Sequence, residues 1–189
     1  GAIDDWEGIR GPRKGLGMRA RTKFILQVLL AVASAFVLKN VLNVPQMFWP
    51  GLNTVIDLGI WYIPLATFII VAMSNAVNLT DGLDGLAGLI SATAFAAYGG
   101  IAIMQGNLFV ARFCFTIVGA LFGFLWFNVH PAMMIMGDTG SLSLGAVLGV
   151  VALMTGQWLL LPLIAIIPVA NAASVVLQVA YFKLTHGKR

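Results

Sequence analysis

The chain alternates between long apolar stretches and short polar segments. A helix needs roughly 20 apolar residues to cross a hydrocarbon core about 30 Å thick, and six stretches reach or approach that length. Membrane-spanning helices are therefore predicted at residues 24–42, 58–77, 86–104, 110–127, 141–156 and 159–182. This pattern predicts an all-α fold, a polytopic bundle with about six transmembrane helices.

Two of these stretches have a composition that predicts more than a simple span. The fifth, "LSLGAVLGVVALMTG", is short and rich in glycine, which favours close packing against a neighbouring helix. The sixth contains Pro162 and Pro168. Because proline cannot donate a backbone hydrogen bond inside a helix, a kink or a break is expected there.

Composition supports the membrane interpretation. Hydrophobic residues make up 60% of the chain and charged residues 10%, and the mean hydropathy is +0.95. A soluble domain carries about 25% charged residues. The single cysteine, Cys114, lies in an apolar run and cannot form an internal disulfide. The net charge of +4 does not indicate a nucleic-acid partner, since in a membrane protein the distribution of charge matters more than its sum.

The positions of the basic residues predict an orientation. Nine of the eleven lysines and arginines precede the first span or follow the last: Arg10, Arg13, Lys14, Arg19, Arg21, Lys23, Lys183, Lys188 and Arg189. An even number of spans leaves both of these segments on one side. Basic residues accumulate on the cytoplasmic side of membrane proteins, so that side is predicted to be cytoplasmic.

Carboxylates converge on the same side. With these spans, every acidic residue except Asp57 lies at the predicted cytoplasmic face, contributed by three separate segments. Those residues are Asp4, Asp5 and Glu7 before the first span, Asp81 and Asp84 between the second and third, and Asp138 between the fourth and fifth.

Two interpretations of these acids are open. Acidic residues favour helix N-termini, so Asp81 and Asp84 could cap the third helix, and Asp138 the fifth. Helix caps do not require flanking glycines, however, and these acids lie in "DGLDG" and "GDTGS". Glycine lets the backbone approach a ligand closely, and a helix N-terminus binds anions. Acids beside an anion site indicate a bridging Mg²⁺. His130 is equally compatible with an interfacial histidine and a phosphate contact.

Three motifs carry a family resemblance along nearly the whole chain. "NAVNLTDGLDGLAG", "FNVHPAMMIMGDTGSLSLG" and "SVVLQVAYFKLTHGKR", together with "GAIDDWEG", closely resemble the MraY family within the polyprenyl-phosphate N-acetylhexosamine-1-phosphate transferase superfamily. The resemblance implies a ten-helix fold, of which this chain would hold the fourth to ninth helices. Residues 1–189 are then expected to be one transmembrane transferase domain, an internal part of a longer protein.

The resemblance also implies a reaction. The family transfers phospho-MurNAc-pentapeptide from UDP-MurNAc-pentapeptide to undecaprenyl phosphate, giving lipid I and UMP, and it requires Mg²⁺. It acts in peptidoglycan biosynthesis at the bacterial inner membrane, with the active site at the cytoplasmic face. The expected partners are these two substrates and the lipid bilayer. A homodimer is also expected, because the family is commonly dimeric.

Residue roles follow from the matching motifs. Asp4 and Asp5 match an aspartate pair that deprotonates or positions the lipid phosphate. Asp81 matches an aspartate assigned either to the metal or to nucleophilic attack, and Asp138 matches the Mg²⁺ ligand. Positions matching substrate or uridine contacts are Asn75, Asn78, Gly82, Leu83, Asp84, Asn128 and His130.

Four positions depart from the family pattern, and rival functions remain. Gly8, Met133 and Ile135 stand where the family has Lys, Lys and Phe, and Asn171 stands where it commonly has Glu. A sister transferase using UDP-GlcNAc, of the WecA or TagO type, shares the acidic motifs. A transporter would place acids near span midpoints. A non-catalytic membrane relative would keep the fold alone.

Overall fold

The structure is a computed structural model that describes residues 19–44, 47–48 and 56–185. Within this part of the chain, six helices are long and apolar enough to cross a membrane, which confirms the predicted all-α membrane bundle. Asp4, Asp5 and Gly8 lie outside the described residues. In chain order the helices are α1 (Ala20–Asn40), α2 (Tyr62–Thr80), α3 (Leu86–Met104), α4 (Leu108–Asn128), α5 (Gly137–Met154), α6 (Leu161–Ile164) and α7 (Ile166–Leu184).

Helix α5 begins earlier than its apolar run predicts, so Asp138 lies in the first turn of a helix and not in a loop. The polar residues of "GDTGS" fit this turn because their hydroxyls bond to its own backbone. Ser141 Oγ donates to Gly137 O at 2.9 Å, and Ser143 Oγ donates to Thr139 O at 2.7 Å. An acid in the first turn also complements the helix dipole.

The predicted break in the last apolar stretch is confirmed. The short helix α6 ends at Ile164 and α7 begins at Ile166, with Ala165 between them in a non-helical conformation (φ −105°, ψ 42°). Pro162 lies at the start of α6, where its missing N–H costs nothing. Pro168 lies in the first turn of α7, where it cannot donate to the turn before it.

Helix α2 lies at the centre of the bundle, with α1, α5 and α7 packed around it, while α3 packs mainly on α4. The side chains that α2 buries include Ala66, Ile70, Met73 and Val77. They recur every three or four residues and so form one face of the helix. The two ends of α2 are thereby fixed relative to the ends of its neighbours.

The glycines of α5 allow it to approach α2 closely, as the sequence predicts. A Cβ atom at Gly145 would lie 2.3 Å from the carbonyl oxygen of Met73, and one at Gly149 would lie 3.2 Å from the Cα of Ile70. Ser74 Oγ adds a hydrogen bond across the same interface, donating to Leu142 O at 2.9 Å. The C-terminal half of α2 is therefore held against the N-terminal half of α5.

Candidate active site

Asp138 is the centre of a polar cluster built from three helices. Its Oδ2 is ion-paired with Lys23 of α1, and its Oδ1 accepts a hydrogen bond of 2.7 Å from Asn78 Nδ2 of α2. The same Asn78 nitrogen also donates to Ser141 Oγ at 2.8 Å. An acid from α5, a cation from α1 and an amide from α2 therefore meet at one end of the bundle.

Asp81 joins this cluster through its charge. It follows directly after the last residue of α2, and its pKa is raised because burial desolvates the carboxylate and because the charge of Asp138 repels its ionised form. Within the described part of the chain, the Asp81 carboxylate has no hydrogen-bond donor. Two acids that oppose each other's ionisation form a place where a bound cation is favourable.

These two acids fit a magnesium ion. Mg²⁺ usually binds through one or two carboxylates, several waters and substrate phosphates, and not through a full protein cage. Asp81 and Asp138 supply two carboxylates, and the described residues contain no group of three or more His, Cys, Asp or Glu side chains that could form such a cage. The donor set therefore suits a hard cation that is shared with a phosphate substrate.

A second group of predicted residues lies on the neighbouring loops. Asp84 Oδ2 is 3.0 Å from His130 Nδ1 and accepts a hydrogen bond of 3.3 Å from the backbone N–H of Ala132. These bonds, that of His130 first, hold the pKa of Asp84 below its usual value. Helix α3 has Gly85 at its N-cap, with no side-chain cap, so Asp84 does not act as the cap that one interpretation of the sequence allowed.

Asn128 ties the same two loops together from inside. Its side chain is buried at the end of α4, its Oδ1 accepts from the Gly85 N–H at 3.0 Å, and its Nδ2 donates to Met134 O at 2.7 Å. The structure thus occupies both ends of this amide with backbone groups of the protein.

The remaining predicted residues lie at the same end of the bundle in three different settings. Asn75 lies one turn before Asn78 on α2, and its Nδ2 donates to Gln27 Oε1 of α1 at 3.1 Å and to Val71 O at 2.8 Å. Gly82 has open space around its Cα, and Leu83 is 70% exposed. The acids thus cluster at the helix ends, while Gly82 and Leu83 face outward from the loop between them.

An apolar cavity of about 460 Å³ opens beside the acid cluster, between α1, α2 and α5. Its lining includes Gln27, which lies one turn from Lys23, and Thr139, which follows Asp138. Most of the other lining residues are aliphatic, among them Leu30, Val147 and Val150. One wall of the cavity therefore ends at charged groups and the rest is hydrocarbon.

The structure adds two residues that sequence reasoning did not place at the site. Lys23 was counted only with the basic segment before the first span, yet it reaches Asp138. Asn171, at a position that departs from the family pattern, donates from Nδ2 to Leu79 O at 3.0 Å and so ties α7 to the end of α2. A polar residue inside an apolar span was the available signal for Asn171.

Comparisons with known proteins agree on one family. The family model described as glycosyl transferase family 4 matches residues 1–156. A phospho-N-acetylmuramoyl-pentapeptide-transferase of Chloroflexus aurantiacus is 48% identical over 98% of this chain and 52% of its own length. Proteins of the same name from Listeria innocua and Wolbachia pipientis are 46% and 42% identical over all of this chain and 58% of their own lengths. The chain therefore spans a little over half the length of these curated relatives.

Proposed function

The chain belongs to glycosyl transferase family 4, and from this membership we propose that it is part of an Mg²⁺-dependent phosphoglycosyl transferase. The proposed reaction moves phospho-MurNAc-pentapeptide from its UDP carrier to undecaprenyl phosphate, releasing lipid I and UMP. The names of its relatives favour this donor over UDP-GlcNAc. Acids at helix ends, and not at span midpoints, speak against an ion pathway through the bundle.

The observation that carries the proposal is the meeting of Lys23, Asn78 and Asp138 beside Asp81. Transfer to a phosphate acceptor cleaves a pyrophosphate, and both substrates are anionic, so the site must neutralise charge and hold the reacting groups in line. Bound by Asp138 and Asp81, Mg²⁺ would supply charge neutralisation at the pyrophosphate. The ammonium of Lys23 provides a second positive charge, and Asn78 fixes the orientation of the Asp138 carboxylate.

The acceptor is an amphiphile, and the cavity between α1, α2 and α5 suits one. Its volume of about 460 Å³ falls within the range of small-molecule sites, and its aliphatic lining matches an isoprenoid chain. A lipid lying there would have its phosphate near Lys23. Asp4 and Asp5, which lie outside the described residues, stay the predicted groups that deprotonate or position this phosphate.

The donor would approach the same end from the aqueous side. The loops that hold Leu83, Asp84, Asn128 and His130 lie at that end, which agrees with the substrate contacts predicted for these residues and for Asn75 and Gly82. The basic residues flanking the bundle support a cytoplasmic site in the bacterial inner membrane. The homodimer common in the family stays a prediction.

Substitution of Asp138 tests the proposal. Asp138→Asn keeps the size of the side chain and an oxygen acceptor for Asn78 but removes the charge, so UMP release should fall by about a hundredfold or more. The control is Asp57→Asn, because Asp57 lies before α2, at the opposite end of the bundle, and accepts from the Gly59 N–H at 2.7 Å. Both should be assayed in the complete polypeptide in detergent. A turnover close to that of the parent in Asp138→Asn would contradict the assignment.

A further inference from the structure

We propose that Asp84 and Asn128 are positioning residues, which clasp the loop carrying Asp81 to the loop leading into Asp138. The clasp is defined here as three contacts between residues 81–85 and residues 128–136. They are Asp84 with the His130 ring, Asp84 with the Ala132 N–H, and Gly85 N–H with Asn128. The consequence of the clasp for catalysis rests on the proposed function, whereas its existence does not.

The first step of the argument is what the clasp connects. Residues 81–85 join α2 to α3 and begin with Asp81 itself. Residues 129–136 join α4 to α5 and end two residues before Asp138. Helices α3 and α4 pack chiefly on each other, and α2 and α5 likewise. The clasp is therefore where the two loops between these helix pairs are bonded, directly beside the two acids.

The second step is how the side chains are used. Asn128 is 4% exposed, with its oxygen bonded to Gly85 and its nitrogen to Met134 O. Asp84 is exposed, but its Oδ2 already holds His130 and Ala132. The clasp loop 129–136 is otherwise folded onto α4 by Met133 N–H and Met134 N–H, which donate to Phe127 O at 2.8 and 3.2 Å. Asp84 is thus the side chain that links this folded loop to its neighbour.

The third step is what distinguishes a clasp from a pair of substrate contacts. If Asp84 and His130 act through their mutual contact, removing either one removes the same interaction. The double variant Asp84→Ala/His130→Ala should then be little worse than the more damaging single variant. If each side chain contacts the substrate independently, the two fold-losses in kcat/KM should multiply.

The fourth step concerns charge. A hydrogen-bond acceptor suffices for the clasp, so Asp84→Asn should keep most of the activity, with its amide oxygen accepting from His130 and Ala132. Asp84→Ala should lower kcat by between tenfold and a hundredfold, because displacement of reacting groups by about 1 Å has effects of that size. The KM for the nucleotide substrate should change much less, since no binding contact is removed.

Hydrogen exchange measured by mass spectrometry tests the clasp without any activity. In the complete polypeptide in detergent, Asp84→Ala should speed exchange in residues 129–136, because the Ala132 N–H loses its acceptor and the loop loses its link. Asp84→Asn should exchange like the parent. Thr93→Ala serves as the control, since Thr93 is exposed on α3 and bonds only within its own helix, to Ile90 O.

Each outcome decides a different point. Unchanged exchange in Asp84→Ala would overturn the clasp. Faster exchange with multiplying losses in the double variant, or equal losses in Asp84→Asn and Asp84→Ala, would overturn the positioning role and make these residues substrate or metal contacts. A parent polypeptide with no transferase activity would refute the proposed function, and the exchange result would still judge the clasp.

Discussion

Gly145→Ala is the substitution whose effect the structure predicts most directly. The added methyl group would lie 2.3 Å from the carbonyl oxygen of Met73 and 2.7 Å from the Cα of Ser74. Ordinary van der Waals contact begins near 3.4 Å. Because both opposing atoms belong to the backbone of α2, no side-chain rotation relieves the clash, and α5 must move away from α2 by about 1 Å.

Two opposing effects determine the change in stability. Alanine is favoured over glycine in a helix by about 1 kcal/mol, which stabilises the variant. Overpacking a closely packed interface costs about 1–3 kcal/mol, and the backbone clash at this position places the cost at the upper end. The expected result is a net loss of about 2 kcal/mol in the free energy of unfolding.

The same movement should reach the candidate site. Asn78 and Asp138 lie on the two helices that are pushed apart, and their hydrogen bond is 2.7 Å long. A shift of about 1 Å would stretch it beyond hydrogen-bonding distance and would move Asp138 relative to Asp81. UMP release should therefore fall by about tenfold or more at temperatures where the variant remains folded.

Thermal unfolding and UMP release should be compared in detergent with two matched variants. Gly123→Ala, on α4, adds a methyl group with nothing within 4 Å, so it should be as stable as the parent or more stable. Gly149→Ala brings its methyl group 3.2 Å from Ile70 Cα and should have an intermediate effect. Equal stability of Gly145→Ala and Gly123→Ala would refute the close approach of α2 and α5.

The remaining predictions concern charge, the cavity and topology. The raised pKa of Asp81 favours folding at low pH, and this contribution is lost as pH rises through that raised value, so in metal-free buffer at neutral pH Asp81→Asn should be at least as stable as the parent. Added Mg²⁺ should raise the melting temperature of the parent but not of this variant; equal rises would remove Asp81 from the metal site. Ala146→Phe, inside the cavity, should raise the KM for the lipid acceptor, whereas Ala97→Phe on the exposed face of α3 should not, and equal KM values would exclude the cavity as the acceptor site. Cysteines introduced at Gly82 and Asn107 should be labelled from opposite sides of the membrane, and labelling from one side would contradict the topology.

Features that depend on local sequence could be predicted closely. The third span was predicted at residues 86–104, the bounds that α3 has in the structure. Apolar run length, glycine content and proline positions act within one helix and need no knowledge of its neighbours. The convergence of acids on one face followed from counting spans, because each crossing reverses the direction of the chain.

Features that depend on helix rotation could not be predicted from these patterns. Nothing in "RARTKF" distinguishes Lys23, which reaches Asp138, from Arg19 and Arg21. Which basic side chain faces inward is set by how α1 packs on α2. The partners of Asp84 were missed for a similar reason, since they lie 46 and 48 residues away along the chain.

The packing interface and the candidate site are one continuous seam of α5. Asp138, Ser141, Gly145 and Gly149 follow one another at intervals of seven residues or fewer that keep them on a single helix face. The facing residues of α2 run antiparallel to them: Ile70 meets Gly149, Met73 meets Gly145, and Asn78 meets Ser141 and Asp138. In lipid, where apolar side chains gain little by leaving their surroundings, helices associate through small residues and polar contacts. The glycines that let these two helices touch therefore also set the distance at which Asn78 holds Asp138, which makes them determinants of the site although they carry no reactive group.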